Sequence, residues 1–185
     1  MEILLLGTSS SGKTVLVRQL RQLCQKTTKK KRKHNPNNTD ASTAVNFKTK
    51  PTVGVELDTL IIDKRTTITI REVGSPMAPM WSAFHGGCSA LLFLIDTSDL
   101  CIPEAAVELW HTLNSKQLQG KPILIVGTKK DIPSLLSEDD ILRYLRFDEL
   151  KQVHTGSVNW AYLNLTIADE CKQSILKWIS GIKEE

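Results

Sequence analysis

Residues 7–14 read Gly-Thr-Ser-Ser-Ser-Gly-Lys-Thr, a GxxxxGK[ST] loop, and they constrain the fold more than any other feature of the chain. Such a loop binds phosphate only between a buried strand and the start of a helix. Both are legible here. Ile3-Leu4-Leu5-Leu6 is a short, wholly apolar run of the kind buried in parallel sheets. Lys13 to Gln25 spaces Leu16, Leu20, Leu23 and Cys24 as the apolar face of a helix. Gly7, Thr8, Ser9, Ser10, Ser11 and Gly12 would wrap backbone N–H groups around the phosphates, with the helix N-terminus behind them. Lys13 would bridge the β- and γ-phosphates, and the Thr14 hydroxyl would bind Mg²⁺.

Apolar runs and helical patterns alternate along the chain. Val53 to Ile62 and Thr67 to Ile70 read as an antiparallel strand pair turning at Asp63-Lys64-Arg65. Ala90 to Ile95, Ile123 to Val126 and Trp160 to Leu165 read as further strands. Pro103 suits the first turn of a helix carried on by Val107, Trp110 and Leu113 and ending by Gly120. Ser137 with Asp140 reads as a capping box ahead of Ile141, Leu142 and Leu145. A last helix shows Ile175, Ile179 and Ile182. The expected fold is α/β: a mostly parallel six-stranded sheet with one antiparallel edge pair and helices on both faces. Ligands in such sheets bind at the carboxyl ends of the strands.

With 185 residues the chain suits a single domain, residues 1–185. Its longest apolar stretch, Ala90 to Ile95, is far too short to cross a bilayer, and with a core strand at the very start no signal peptide is expected. Cys24, Cys88, Cys101 and Cys171 show no paired spacing, so free thiols in a reducing, cytoplasmic compartment are expected. The four histidines have no ligand spacing. The net charge of +4 is concentrated: residues 26–50 carry eight Lys or Arg against one acid, or +7, which leaves the rest at −3. That segment reads as a mobile basic loop. Its run Lys29-Lys30-Lys31-Arg32-Lys33 fits a solvated loop, an anionic membrane surface or a nuclear-import adaptor, with residues 26–38 as the contact. Nucleic acid is the least favoured partner, because no aromatic residues are interleaved.

At the end of the Ile123–Val126 run stands Thr128-Lys129-Lys130-Asp131. A carboxylate there can accept hydrogen bonds from guanine N1–H and N2–H₂ together, a donor pair that adenine lacks. Here the chain resembles the small GTPases, whose motif is [NT]KxD. The resemblance makes Asp131 the base reader and lays the Lys129 stem along the base, with Thr128 in place of the commoner Asn.

Pro51-Thr52-Val53-Gly54 resembles the first switch segment of the Arf and Arf-like family, as do a strand pair between the switches, Trp81, and a strand ending at Asp96-Thr97-Ser98-Asp99. The resemblance covers nearly all of the chain except residues 26–50. It implies a P-loop small-GTPase fold that binds GTP, GDP and Mg²⁺, with Thr52 on Mg²⁺ and the γ-phosphate, and Gly74 N–H sensing that phosphate. It also implies a base contact from the last strand–helix loop through Thr166-Ile167-Ala168, and effector or regulatory proteins recognised near residues 52–84.

The departures bear on chemistry. The family's Trp-Asp-Val-Gly-Gly-Gln is Arg71-Glu72-Val73-Gly74-Ser75-Pro76 here. Glu72 keeps the charge that an Asp brings to the Mg²⁺ shell and adds a methylene. Pro76 stands where a Gln orients the attacking water and offers neither a polar side chain nor an N–H. A nucleotide-dependent switch or scaffold with slow or partner-dependent hydrolysis is therefore expected. A binding module that holds nucleotide without cycling stays open beside it, and a P-loop kinase or ATPase is less favoured. Position 2 is Glu2 and the chain ends Lys183-Glu184-Glu185, so neither myristoyl nor prenyl anchor is expected.

Overall fold

A computed structural model describes residues 1–30, 49–63, 66–98, 101–133, 136–164 and 169–182, with the side chains of 26–30 and 169–171 left aside. Strand β1 (Glu2–Gly7) leads through the phosphate loop into helix α1 (Lys13–Lys30). An antiparallel pair follows, β2 (Val55–Ile61) and β3 (Thr67–Val73). A 3-10 helix over Ser75–Phe84 precedes β4 (Ala90–Asp96) and α2 (Ile102–Leu113). Then come β5 (Ile123–Thr128), α3 (Glu138–Tyr144), α4 (Phe147–Val153), β6 (Val158–Tyr162) and α5 (Asp169–Ser180). The strands form one sheet in the order β2-β3-β1-β4-β5-β6. Every neighbouring pair except β2–β3 is parallel.

The apolar runs are continuous because both faces of the inner strands are covered. Ile3 and Leu5 of β1, Leu92 and Leu94 of β4, and Val126 of β5 pack with Leu16 and Leu20 of α1 and Ile175 and Ile179 of α5. Their neighbours Leu4, Leu6, Phe93 and Ile125 point the other way, onto Ile102, Ala105, Leu109 and Ile141 of α2 and α3. The parallel strands β1, β3, β4, β5 and β6 put their carboxyl ends on one rim, where the phosphate loop lies.

Several boundaries differ from the sequence reading. Helix α1 runs through Lys30, five residues into the segment read as loop, and residues 31–48 lie outside the described ones. Val107 is not on the buried face of α2. It is 69% exposed, and Ile102, Ala105 and Leu109 face the sheet instead. That helix also ends at Leu113, and residues 114–120 form turns. The last strand begins two residues earlier than read, at Val158, and Leu165 lies outside the described residues. The capping box forms as expected: the Ser137 hydroxyl accepts from Asp140 N, and the Asp140 carboxylate accepts from Ser137 N at 3.1 Å. Cys24, Cys88 and Cys101 are free thiols, and the side chain of Cys171 lies outside the described set.

His85 carries a pH dependence. Its side chain is buried, and neither ring nitrogen has a hydrogen-bond partner among the described residues. Burial, followed by the charges of Lys121 and His111, holds its pKa below the usual 6.5. The unfolded chain therefore takes up this proton first, so stability is full above about pH 6.5 and is lost as pH falls through the lowered value. Thermal unfolding of the wild type should show this acid-side loss. His85→Met should flatten it between pH 7.5 and 5.5, and an unchanged slope would exclude His85 as its source.

Candidate functional site

Strand β1 ends on Gly7, whose φ of +144° and close neighbour both demand glycine: an added Cβ would lie 2.2 Å from the carbonyl oxygen of Leu94. The loop turns again at Ser10 and Gly12, at φ of 58° and 88°. Ser11 Oγ donates to Thr8 O at 2.8 Å and keeps the loop compact. Helix α1 starts at Lys13 with no acidic residue in its first turn, which leaves its positive end free for an anion. Ser9 and Ser10 are exposed, and Thr8 and Ser11 are buried. The Thr8 hydroxyl is a buried polar atom with no partner among the described residues.

Lys13 is 7% exposed and donates to the carbonyl oxygens of Gly7 and Thr8 at 2.7 and 2.8 Å. Burial lowers its pKa from 10.5 to about 8, partly opposed by the Glu72 carboxylate. The ammonium thus closes the loop over itself, held at a cost that a phosphate would relieve.

Beside it three side chains converge from three elements. Thr14 Oγ1 of α1 donates to Glu72 Oε1 of β3 at 2.6 Å. Thr52 Oγ1, just before β2, reaches the same oxygen at 3.2 Å and lies 3.2 Å from Thr14 Oγ1. Glu72 is 3% exposed. Burial raises its pKa, against the two hydroxyl bonds and the charge of Lys13, while Glu56 adds to the rise. Two hydroxyls and a buried carboxylate are the hard oxygen donors that suit Mg²⁺. The residues present therefore fit the expected cation.

Gly74, just after β3, joins that strand's end to the Pro51–Gly54 segment. Its N–H donates to Gly54 O at 2.9 Å, and an added Cβ would lie 2.0 Å from Thr52 O. The expectation that this N–H reaches a γ-phosphate requires that bond to open, since here it is spent on Gly54. The Gly74 carbonyl accepts from the indole N–H of Trp81 at 3.2 Å, and Trp81 stands edge-on to Phe93 with centroids 6.1 Å apart. Residues 9–14, Thr49 to Thr52, Glu72, Gly74 and Ser75 line one cavity of about 110 Å³.

Thr128, at the end of β5, is buried, and its hydroxyl lies 2.9 Å from Ser11 O and 3.0 Å from Ile95 O. It ties β5 to the phosphate loop. Thr97 Oγ1 donates to Thr128 O at 2.6 Å. Lys129 has a positive φ of 62°, and its ammonium pairs with the buried Asp96 carboxylate. Asp131 is exposed in the turn closed by Ile132 N to Lys129 O at 2.9 Å. Thr166 and Ile167 lie outside the described residues. Asp96 is the participant that sequence reasoning quoted only for its spacing. An acid ending a strand beside the TKKD strand was the available signal.

The comparisons agree with this architecture. Residues 1–181 match the model of the ADP-ribosylation factor family. The chain is 32% identical to ADP-ribosylation factor-like protein 16 of Homo sapiens over 148 residues, covering 80% of this chain and 68% of that protein. It is 25% identical to ADP-ribosylation factor-like protein 14 of Mus musculus over 152 residues, with the same shares covered. In fold it is similar to the Arl6 BBS3 small GTPase from Trypanosoma brucei, solved with the bound nucleotide analogue GppNp. That match has a TM-score of 0.71 and 17% identity and covers 99% of each chain. The chain belongs to the ADP-ribosylation factor family of small GTPases.

Proposed function

We propose that this GTPase-family chain binds GTP and GDP with Mg²⁺ between the phosphate loop and the TKKD turn, and hydrolyses GTP slowly unless a partner assists. The observation that supports it most is the meeting of Thr14, Thr52 and Glu72 beside Lys13. In this reading Lys13 leaves the Gly7 and Thr8 carbonyls for the phosphates. Thr14 and Thr52 would hold the cation, which would supply positive charge to offset that of the phosphates. Asp131 reads guanine, Lys129 lies along the base under the hold of Asp96, and Thr128 sets the distance between base and phosphate sites. The neighbouring GTPase solved with GppNp makes a triphosphate-like ligand a natural probe for this chain.

Effector and regulatory proteins would read residues 52–84, where Val53, Leu57 and Met80 stand exposed. The basic stretch 26–38 would add an anionic membrane surface or an import adaptor, with a cytoplasmic setting and access to the nucleus. Among the described residues no helix is long and apolar enough to cross a membrane.

The slow hydrolysis in this reading comes from the segment after β3, Gly74-Ser75-Pro76. Pro76 is exposed in the first turn of the 3-10 helix and has no group to orient a water. A small GTPase that keeps its glutamine turns over at about 10⁻⁴ s⁻¹ unaided, and this chain should be slower still. The test is to identify the nucleotide carried by the purified protein and follow its γ-phosphate in single turnover. A wild-type rate well above about 10⁻⁴ s⁻¹ without a partner would show that another group positions the water. Pro76→Gln is expected to raise the rate.

A further inference from the structure

We propose that Lys50 is a second phosphate-binding cation of this site, one that reaches the terminal phosphate of a nucleoside triphosphate and has no contact with a diphosphate. The proposal rests on the nucleotide reading above and concerns how the site tells GTP from GDP.

Lys50 stands two residues before Thr52, with Pro51 between them. A proline holds the residue before it in an extended backbone, and neither Lys50 nor Thr52 lies in a helix or turn. Side chains two apart on an extended chain leave it on the same side. The Thr52 hydroxyl is fixed 3.2 Å from Thr14 Oγ1 and 3.2 Å from Glu72 Oε1. Lys50 and Thr52 accordingly line the same cavity, together with the phosphate loop, Gly74 and Ser75.

Among the described residues that line this cavity, Lys13 and Lys50 are the cations and Glu72 is the acid. The two lysines differ. Lys13 is buried, and its ammonium is taken up by the carbonyl oxygens of Gly7 and Thr8. Lys50 is exposed, and among the described residues its ammonium makes no ion pair or hydrogen bond. Glu72 does not hold it, since the direct partners of that carboxylate are the Thr14 and Thr52 hydroxyls. An unpaired ammonium on a flexible four-carbon stem is a mobile point charge, suited to a phosphate.

A triphosphate carries more negative charge than Mg²⁺ and Lys13 supply together, and the buried Glu72 widens the gap. A diphosphate leaves a smaller excess. The phosphate loop and Lys13 serve the inner phosphates, whereas Lys50 comes from the segment on which the resemblance places the γ-phosphate contact of Thr52. The ammonium would therefore draw the Pro51–Gly54 segment onto GTP and let it go with GDP.

The test is competition against a fluorescent GDP analogue, with Mg²⁺ present, on the full chain. GppNp serves as the triphosphate so that hydrolysis does not interfere. Lys50 has no partner to lose, so Lys50→Gln should fold as the wild type does. This variant should bind GppNp about tenfold more weakly, the lower end for a charged hydrogen bond at an exposed site, and leave GDP affinity nearly unchanged. Lys50→Arg keeps the charge and should retain most of the GppNp affinity. An equal loss for GDP and GppNp in Lys50→Gln would place the ammonium on the inner phosphates and overturn the proposal. No loss for either nucleotide would overturn it too, and in both cases the nucleotide reading stands. A wild-type chain that binds neither nucleotide would overturn both.

Discussion

Asp131→Asn should lower GTP affinity by about 10²- to 10³-fold and raise XTP affinity toward the wild-type GTP level. The carboxylate has two acceptors for guanine N1–H and N2–H₂, and the amide replaces one with a donor that faces a donor. Xanthine carries a carbonyl at that edge, so the mismatch is restored to a match. A site built around a hydrogen-bonding pair rejects the wrong partner by 10⁴–10⁵ when fully buried. Asp131 is exposed on its turn, so part of that discrimination is given up to water, and the smaller range is expected. Competition binding against a fluorescent GDP analogue measures it. A variant that keeps wild-type GTP affinity would remove Asp131 from the base site.

Lys13→Met should separate binding from stability. Truncating one member of a buried charge pair costs about 2–5 kcal/mol, so nucleotide affinity should drop by two to three orders of magnitude or vanish. The ligand-free protein should respond in the opposite direction. With its pKa lowered to about 8, Lys13 is held charged at neutral pH against its burial. A lowered folded-state value means that the unfolded chain binds this proton more tightly. The penalty is full below pH 8 and fades as pH rises toward 10.5. Removing the ammonium should thus stabilise the ligand-free chain at pH 7 by about 1–3 kcal/mol, less the two hydrogen bonds to Gly7 and Thr8. Thermal unfolding at pH 7 and at pH 10 reads the difference. Equal destabilisation at both values would mean that the lysine is structural before it is functional.

The elements legible in the sequence were those whose signal is local. The Ile3–Leu6 run, the Gly7–Thr14 loop and the Ser137–Asp140 cap each carry their cause within a few residues, and each stands where expected. Helix α2 formed with Leu113 buried as part of it, but its face toward the sheet is built on Ile102, the small Ala105 and Leu109, while Val107 is apolar only in type. Packing distance to the sheet decides that phase, and no spacing rule contains it. Helix α4 went unread. It is seven residues long, and it is launched from Arg146 in a left-handed conformation at φ 53° without a side-chain cap. In the site, the phosphate loop and the TKKD turn were legible as strings. Their link was not: the contact of Thr128 with Ser11 joins residues more than a hundred positions apart. The pairing of Lys129 with Asp96 and the bond from Gly74 N–H to Gly54 O are likewise products of strand register. Sequence named the participants without their partners.

The claim that this fold is a guanine-nucleotide site rests most directly on the ligand preference of the unmodified chain. Competition of GTP, GDP, ATP and XTP for the Mg²⁺-loaded wild-type protein should give GTP and GDP at least about 10²-fold tighter than ATP. Equal affinity for ATP and GTP would contradict the account, because the Thr128–Asp131 turn would then read no base at all.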